Sequence, residues 1–231
     1  MRAVDLATYS ERHRQFATAE LPPLLERVAS AGVIADVGCG DGAVLHALHV
    51  KGLLGARAYG IDLSAARVAR AERVPGVTGI VADATRIPLP DGSADGVICS
   101  QVIEHVPDQE ALVSEIARLL RPGGWWYVGS VLRGSHAWWI YKRDGRRWLD
   151  PTHLREYRSE AEFTDAIEHP ALQLSLLESR PMRYPLLDLA FRTLRISGDA
   201  YVRVPLLARL RGVRLRVPGY RLVEASGIKR S

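Results

Sequence analysis

Cysteine is scarce in this chain: Cys39 and Cys99 are the only two in 231 residues. Two thiols cannot build a disulfide framework and are too few for a cysteine-based zinc site, so no metal ligands are assigned from the sequence. Both fall at the ends of strands expected to be neighbours, where a bond is conceivable, but a pair of buried free thiols is the expected state. Long apolar runs are also missing. None approaches the ~20 residues that cross a bilayer, and the opening MRAVDLATYSERHR lacks the apolar centre of a secretory signal, so a cytoplasmic location is expected. There is no internal repeat. What remains is 47% hydrophobic and 25% charged, enough for one sizeable core, and residues 1–231 read as a single domain.

The most informative stretch is Val33-Ile34-Ala35-Asp36-Val37-Gly38-Cys39-Gly40-Asp41-Gly42. A short apolar run reads as a buried parallel strand. Alternating glycines then permit a sharp turn and close approach of backbone to a ligand. Good helix formers follow from Ala43 to Leu48, so the first helical amides face the turn. A dinucleotide site would show G-x-G-x-x-G with a pyrophosphate at the helix start. The spacing here is G-x-G-x-G, and Asp36 places negative charge where phosphates would be repelled. An ammonium suits that carboxylate, which points to an adenosine with an amino-acid tail, S-adenosylmethionine. A tight turn in another kind of α/β domain is the competing reading.

Three further strands end in polar residues. Tyr59-Gly60-Ile61-Asp62-Leu63-Ser64 places Asp62 roughly twenty residues beyond the glycines, where an acid accepts from ribose hydroxyls. Val77 to Ala82 leads into Asp83-Ala84, a carboxylate for an adenine amino group and an amide for the ring. Asp95 to Ser100 is followed by Gln101-Val102-Ile103-Glu104-His105-Val106. Any one acid could be a loop carboxylate or a helix N-cap; four on one sheet edge suggest a site.

The segments ADVGCGDG (35–42), YGIDLS (59–64), VADATRIPLPDGSADGVICSQVIEHVPD (81–108) and RLLRPGGWWYVGS (118–130) together resemble the class I S-adenosylmethionine-dependent methyltransferases, most closely the small-molecule (UbiE/UbiG-like) branch. The resemblance covers about residues 30–131. It implies that Asp36, Gly38, Cys39 and Gly40 border the methionine part of S-adenosyl-L-methionine, that Asp62 and Leu63 hold the ribose, that Asp83 and Ala84 bind adenine, and that Ser100 offers its backbone to the amino group. S-adenosyl-L-homocysteine is the implied product. It also implies a Rossmann-like α/β fold: a seven-stranded, mostly parallel sheet with helices on both faces and an antiparallel last strand inserted between the fifth and sixth.

The alternation of strand and helix agrees with a parallel sheet. Strands are expected near 33–38, 57–62, 77–82, 95–100, 125–131, 172–180 and 220–227. Helices are expected near 43–51, 64–73, 108–120 and 159–168, after an N-terminal helical lid (1–29) with a helix start at Leu21-Pro22-Pro23. In that lid Tyr9, Arg12, His13 and Arg14 are candidates to close over the cofactor, by analogy with related enzymes.

Two regions are expected to set the acceptor. The first, 132–158, follows the cofactor-binding core of 30–131. All five tryptophans lie between 125 and 148: Trp125 and Trp126 read as core on opposite faces of a strand, and Trp138, Trp139 and Trp148 as a satellite core or a wall for a flat acceptor. Within it, Asp150-Pro151-Thr152-His153-Leu154-Arg155-Glu156-Tyr157 resembles a run that many members of the branch carry facing the active site. His153 and His105 are the candidate catalytic bases, with Glu104 as a partner for His105 or an N-cap. Alignment of acceptor, methyl carbon and sulfur is expected to matter more than a strong base.

The second region is 181–218, expected as a basic helical insertion within 159–231. From Pro181 to Ser231 there are eleven Lys and Arg against three Asp and Glu; elsewhere there are 20 against 23. Such a tail could cover the sheet, meet an anionic membrane or a lipid-linked acceptor, or pair two copies in a homodimer. The expected activity is methyl transfer to an O or N atom of a small-molecule acceptor. RNA or protein methylation and a non-catalytic cofactor-binding scaffold are the alternatives. Nucleic acid is not the expected partner, since no Asn/Asp-Pro-Pro-aromatic motif follows the fourth strand.

Overall fold

The computed structural model describes residues 20–30, 32–138, 141–143, 145–185 and 213–231. In chain order the elements are α1 (Pro23–Val28), β1 (Ile34–Val37), α2 (Ala43–Val50), β2 (Ala58–Asp62), α3 (Ala65–Ala71), β3 (Val77–Val81), β4 (Ala94–Ser100), α4 (Gln109–Leu119), β5 (Leu120–Arg133), β6 (Tyr141–Arg143), β7 (Arg146–Trp148), α5 (Glu160–Ala166), β8 (Leu172–Pro185) and β9 (Arg214–Lys229). Seven strands form one sheet in the order β3-β2-β1-β4-β5-β9-β8, with β6 and β7 as a separate hairpin. β1 pairs in parallel with both β2 and β4, so the chain reverses its direction of travel across the sheet there. Open α/β sheets bind ligands outside the carboxyl ends of their strands at this kind of switch. β9 is antiparallel to both β5 and β8, as the resemblance implies.

The central strands alternate between two cores, as a side-chain period of two requires. Ala35, Val37, Val97, Cys99, Trp126 and Val128 enter the core on one face. Ile34, Ile98 and Tyr127 enter the other, which Trp125 flanks. The two adjacent tryptophans therefore pack on opposite faces, as expected. Both thiols are free and buried. α4 starts where Asp108 accepts from the Ala111 amide at 2.9 Å, and it buries Leu112, Ile116 and Leu119. Each such side chain contributes about 1.5–3 kcal/mol. Among the described residues no helix is long and apolar enough to cross a membrane.

Three boundaries differ from expectation. β5 begins at Leu120, directly after α4, and passes through Pro122-Gly123-Gly124 by a register shift between Ala94 and Gly96. β8 and β9 run on past 180 and before 220, pairing Arg183 with Arg216 and Pro185 with Arg214 beyond a shift at Pro181. Proline has no amide for the ladder, so the pairing breaks there and resumes. Met182 and Tyr184 then pack near Val131, Val217 and Tyr220. The flanks of the expected 181–218 insertion are thus strands, and its helices at 186–212 lie outside the described residues. The same is true of Tyr9, Arg12, His13, Arg14 and Trp139. The third difference is the β6–β7 hairpin, which turns at Gly145 with φ of 75°.

Candidate active site

At the carboxyl end of β1 the Ile61 carbonyl accepts from the Gly38 and Cys39 amides, both at 2.8 Å. The Gly40 amide donates to Asp62 Oδ2 at 3.1 Å. Asp62 Oδ1 accepts from the Ser64 amide at 2.8 Å, so backbone amides fix the carboxylate from both sides. Gly38, Gly40 and Gly42 have φ of 74°, 54° and 80°, a region that side chains other than glycine's reach only at a cost. A Cβ on Gly38 would lie 2.2 Å from Val102 Cγ2, and one on Gly42 would lie 2.8 Å from Ala71 Cα. The turn is closed on one side by the loop after β4 and on the other by α3. Cys39 fills space beneath it, its thiol pKa pushed up by burial and then by Asp36.

Asp36 is 2% exposed and its Oδ2 has no hydrogen-bond partner. Burial, and then the charge of Asp62, raises its pKa to about 7. A buried carboxylate oxygen without a donor favours a neighbouring cation. The ammonium of S-adenosylmethionine would answer that need, and the glycine turn leaves backbone rather than side chain at the same point. The residues present therefore fit this cofactor. Of the others expected to touch it, Ser100 ends β4 beside the turn. Asp83 is exposed and its Oδ1 accepts from the Thr85 amide at 2.8 Å and hydroxyl at 2.7 Å. Ala84 is half-buried, and Leu63 is 54% exposed.

Across from the turn, the loop after β4 begins at Gln101, a non-glycine residue with φ of 59°. It places Val102 against Gly38 and brings Glu104 and His105 inward. His153 joins them from the 150–157 run: the two imidazole centroids are 4.8 Å apart, edge to face. One donor atom each of Glu104, His105 and His153 lies within 4.8 Å of the other two. Glu104 is fully buried. Its Oε2 accepts from the Ser130 hydroxyl at 2.9 Å, while its Oε1 has no partner. It neither bonds His105 nor caps α4, a task that falls to Asp108.

Each imidazole is oriented from behind. Thr152 Oγ1 donates to Asp150 Oδ1 at 2.6 Å and lies 2.8 Å from His105 Nδ1. The hydroxyl has one proton, already committed, so His105 Nδ1 is the donor to it. His153 Nδ1 is 2.9 Å from Glu156 Oε1, and Glu156 Oε2 accepts from the Tyr220 hydroxyl at 3.0 Å. Burial lowers the His105 pKa. Burial also opposes charge on His153, but the Glu156 hydrogen bond and the surrounding carboxylates outweigh it and raise that pKa. The run 150–157 is clamped to the β4 loop. Arg155 donates to the carbonyls of Ile103 at 2.8 Å, Pro107 at 2.8 Å, and Val106. The Leu154 amide donates to the Glu104 carbonyl at 2.9 Å.

Further along β5, a cleft of about 720 Å³ is lined by Arg133, Trp138, Arg147, Tyr184 and Arg216 among others. Arg133 Nε is 3.6 Å from Glu156 Oε2, which connects the cleft wall to the His153 support. Trp148 is buried whereas Trp138 is 47% exposed. The sequence brought His105 and His153 forward singly. It did not show that they meet, nor the parts taken by Asp150, Thr152 and Glu156, because only folding makes neighbours of residues nearly fifty positions apart.

A parallel-centred sheet with a glycine turn and an orphaned acid at its switch point defines a nucleotide-cofactor-binding α/β protein. The Methyltransferase domain family matches residues 35–128. A ubiquinone biosynthesis O-methyltransferase of Paracidovorax citrulli is 30% identical over 189 residues, covering 76% of each chain. A probable S-adenosylmethionine-dependent methyltransferase of Mycolicibacterium smegmatis is 37% identical over 147 residues, 63% of this chain and 53% of that one. The chain spans about half the length of several curated relatives it matches. Among solved structures, the cyclase SpnF superposes with a TM-score of 0.66 at 20% identity, covering 90% of this chain and 79% of that one. This chain belongs to the class I S-adenosylmethionine-dependent methyltransferases, related to the small-molecule branch.

Proposed function

We propose that the protein transfers a methyl group from S-adenosyl-L-methionine to an oxygen of a small acceptor, a phenol or quinone-related compound carrying adjacent hydroxyl groups. The observation that carries this reading is the largely buried Glu104–His105–His153 group, whose first two members share a loop with Val102, which packs against Gly38 at the cofactor turn. The names of several relatives, ubiquinone biosynthesis O-methyltransferases, support an oxygen acceptor. Bound S-adenosyl-L-methionine supplies a methyl group activated on a positively charged sulfur. Asp36 would face its ammonium, Asp62 and Leu63 the ribose, Asp83 and Ala84 the adenine, and Ser100 the amino group through its backbone, beside Gly38, Cys39 and Gly40.

The acceptor hydroxyl would meet the two imidazoles. Of the pair, His153 is the stronger base, and Glu156 would hold it in place as it takes the proton. The cleft with Trp138 and Tyr184 suits the rest of a flat acceptor. Exposed Val213 and Leu215 beside Arg214 and Arg216 suit a lipid-linked tail at an anionic surface.

The test is transfer of an isotopically labelled methyl group to a panel of dihydroxybenzenes with and without prenyl tails, with the attacked atom read by mass spectrometry and NMR. Oxygen methylation of at least one member is expected. His153→Ala should slow it by roughly 100-fold while S-adenosyl-L-homocysteine affinity stays the same. Transfer only to nitrogen, or only to a macromolecule, would overturn the reading.

A further inference from the structure

We infer that the cleft beyond β5 is a subsite for an anionic group, a carboxylate or a phosphate, carried on the ring of the acceptor. The inference deepens the proposed reaction and rests on it for calling the bound molecule the acceptor, while binding in the cleft is measurable without turnover. The cleft holds about 720 Å³, inside the roughly 300–1,000 Å³ of small-molecule sites. Three observations identify its occupant.

The first is charge. Arg133 ends β5, Arg147 lies on β7 and Arg216 on β9, and all three line the cleft. Elements far apart in the sequence therefore bring arginine to one opening, whereas no carboxylate is among the described residues that line it. A guanidinium stays protonated at every working pH. The field of such charges is concentrated inside a concave site, where it raises the local concentration of anions.

The second is how little of the Arg133 charge the interior answers. The carboxylate it faces is Glu156, whose Oε2 is 3.6 Å from Nε, longer than a hydrogen bond. Glu156 is already committed. Its Oε1 accepts from the Leu149 amide and meets His153 Nδ1, both at 2.9 Å, and its Oε2 accepts from the Tyr220 hydroxyl at 3.0 Å. The Arg133 side chain is 29% exposed and that of Glu156 is 2%, so the guanidinium reaches from a shared buried acid to the cleft, where a second anion meets it.

The third is the company these charges keep. Trp138, 47% exposed, and Tyr184 line the same cleft with Leu215 and Val217. An inorganic anion has no use for apolar walls, and a membrane surface is too flat to enter a cleft. A ring that bears an acid uses both, its face against the aromatic side chains and its oxygens on the guanidinium fork. The position agrees. The Arg133 amide donates to the Tyr157 carbonyl at 2.7 Å, which ties the cleft wall to the run that carries His153. The acceptor then presents its hydroxyl to His153 and its acid to Arg133.

Calorimetry on the full chain loaded with S-adenosyl-L-homocysteine compares a dihydroxybenzoate and a dihydroxyphenyl phosphate with the neutral dihydroxybenzamide. Both acids should bind about 10- to 100-fold more tightly than the amide, by a margin that shrinks as salt rises. Arg133→Met and Arg147→Met should each remove about tenfold of that margin and leave nucleoside affinity unchanged. Arg57→Met, which takes away an exposed charge just before β2, should leave the margin intact. Circular dichroism identifies a variant that has merely unfolded, and Arg147→Met, on the separate hairpin, then carries the test for Arg133→Met. Acids that bind no better than the amide or not at all, or a margin that survives in the folded arginine variants, overturn the subsite. So does binding of phosphatidylglycerol vesicles that depends on Arg133 and Arg147 without any binding of the acids, which assigns the charge to a lipid surface. Oxygen methylation confined to neutral dihydroxybenzenes keeps the proposed function and removes the subsite. Tight binding of the acids with no oxygen methylated keeps the subsite and removes the proposed function.

Discussion

The two sides of the crevice are built by different means. On the cofactor side, position is set by backbone: glycines with positive φ, amides of Gly38 and Cys39 on one carbonyl, and amides of Gly40 and Ser64 on the two oxygens of Asp62. On the acceptor side, position is set by side chains reaching across the sequence: Arg155 to three carbonyls of the 103–107 loop, Thr152 to His105, and Glu156 to His153, Leu149 and Tyr220. A backbone cradle tolerates no change of residue type at its glycines. A side-chain scaffold can be re-aimed one residue at a time, which suits a family that keeps one cofactor and varies the acceptor.

The sharpest break of this contrast is at Gly38. Valine there must overlap Val102 and occupy a φ of 74°. Cofactor affinity should fall by more than about 3 kcal/mol, over 100-fold by calorimetry. The milder Gly38→Ala separates the two causes. Adding Val102→Ala should restore the part owed to overlap and leave the backbone part, roughly 1–2 kcal/mol. Full restoration by the double variant would mean that the backbone conformation is not what the glycine provides.

Asp36 comes next. Its folded-state pKa of about 7 lies above the unfolded value of 3.8, so the folded, cofactor-free chain binds this proton more tightly than the unfolded one. The stability it contributes is fully present below about pH 4 and is lost as pH rises through about 7. At roughly 1.4 kcal/mol per unit the change is of order 4 kcal/mol at most. Asp36→Asn should flatten that slope in denaturant titrations. A positively charged ligand favours the ionised acid, so its binding should tighten as pH rises toward 7 and release a proton, which calorimetry in buffers of different ionisation enthalpy reads directly. Binding with no buffer dependence would show that the carboxylate does not face the ammonium.

On the acceptor side, Arg155→Met removes a guanidinium from the carbonyls of Ile103, Val106 and Pro107. Hydrogen bonds to a charged group are each worth about 1.5–3 kcal/mol, and water replaces part of that at a half-buried site. A loss of about 2 kcal/mol in unfolding free energy is expected, with turnover down about tenfold and S-adenosyl-L-homocysteine affinity within about a factor of two. Equal losses in turnover and nucleoside affinity would show the two sides to be one unit.

The same contrast decides what the sequence could tell. The backbone cradle is local: Asp36 to Gly42 announces itself by residue type and spacing, and the sheet follows from the periodicity of short apolar runs. The 150–157 run could be recognised as facing a site, but its internal order could not. Which imidazole meets the Thr152 hydroxyl and which carbonyls Arg155 reaches are settled by contacts between residues 47 to 52 positions apart. Glu104 was weighed as a partner of His105 or a helix cap and is neither, because Ser130, on β5, claims one of its oxygens. β8 and β9 run beyond the expected 172–180 and 220–227, because an outer strand absorbs Pro181 as a register shift.

The smallest effect lies outside both sides and calibrates them. Arg27 on α1 pairs with Glu178 on β8, and both side chains are about half exposed, at 52% and 42%. Arg70 and Asp41, which join α3 to the glycine turn at 2.9 Å, are 14% and 4% exposed. Exposed pairs give back in side-chain entropy and screening most of what attraction supplies. Glu178→Gln should therefore cost no more than about 0.5 kcal/mol, and less at high salt. Asp41→Asn should cost clearly more, because it leaves a guanidinium facing a neutral amide in a largely water-free position. Equal costs for the two, in unfolding titrations at low salt, would mean that ion pairs contribute nothing special to the cofactor side and that its glycine backbone holds the turn alone.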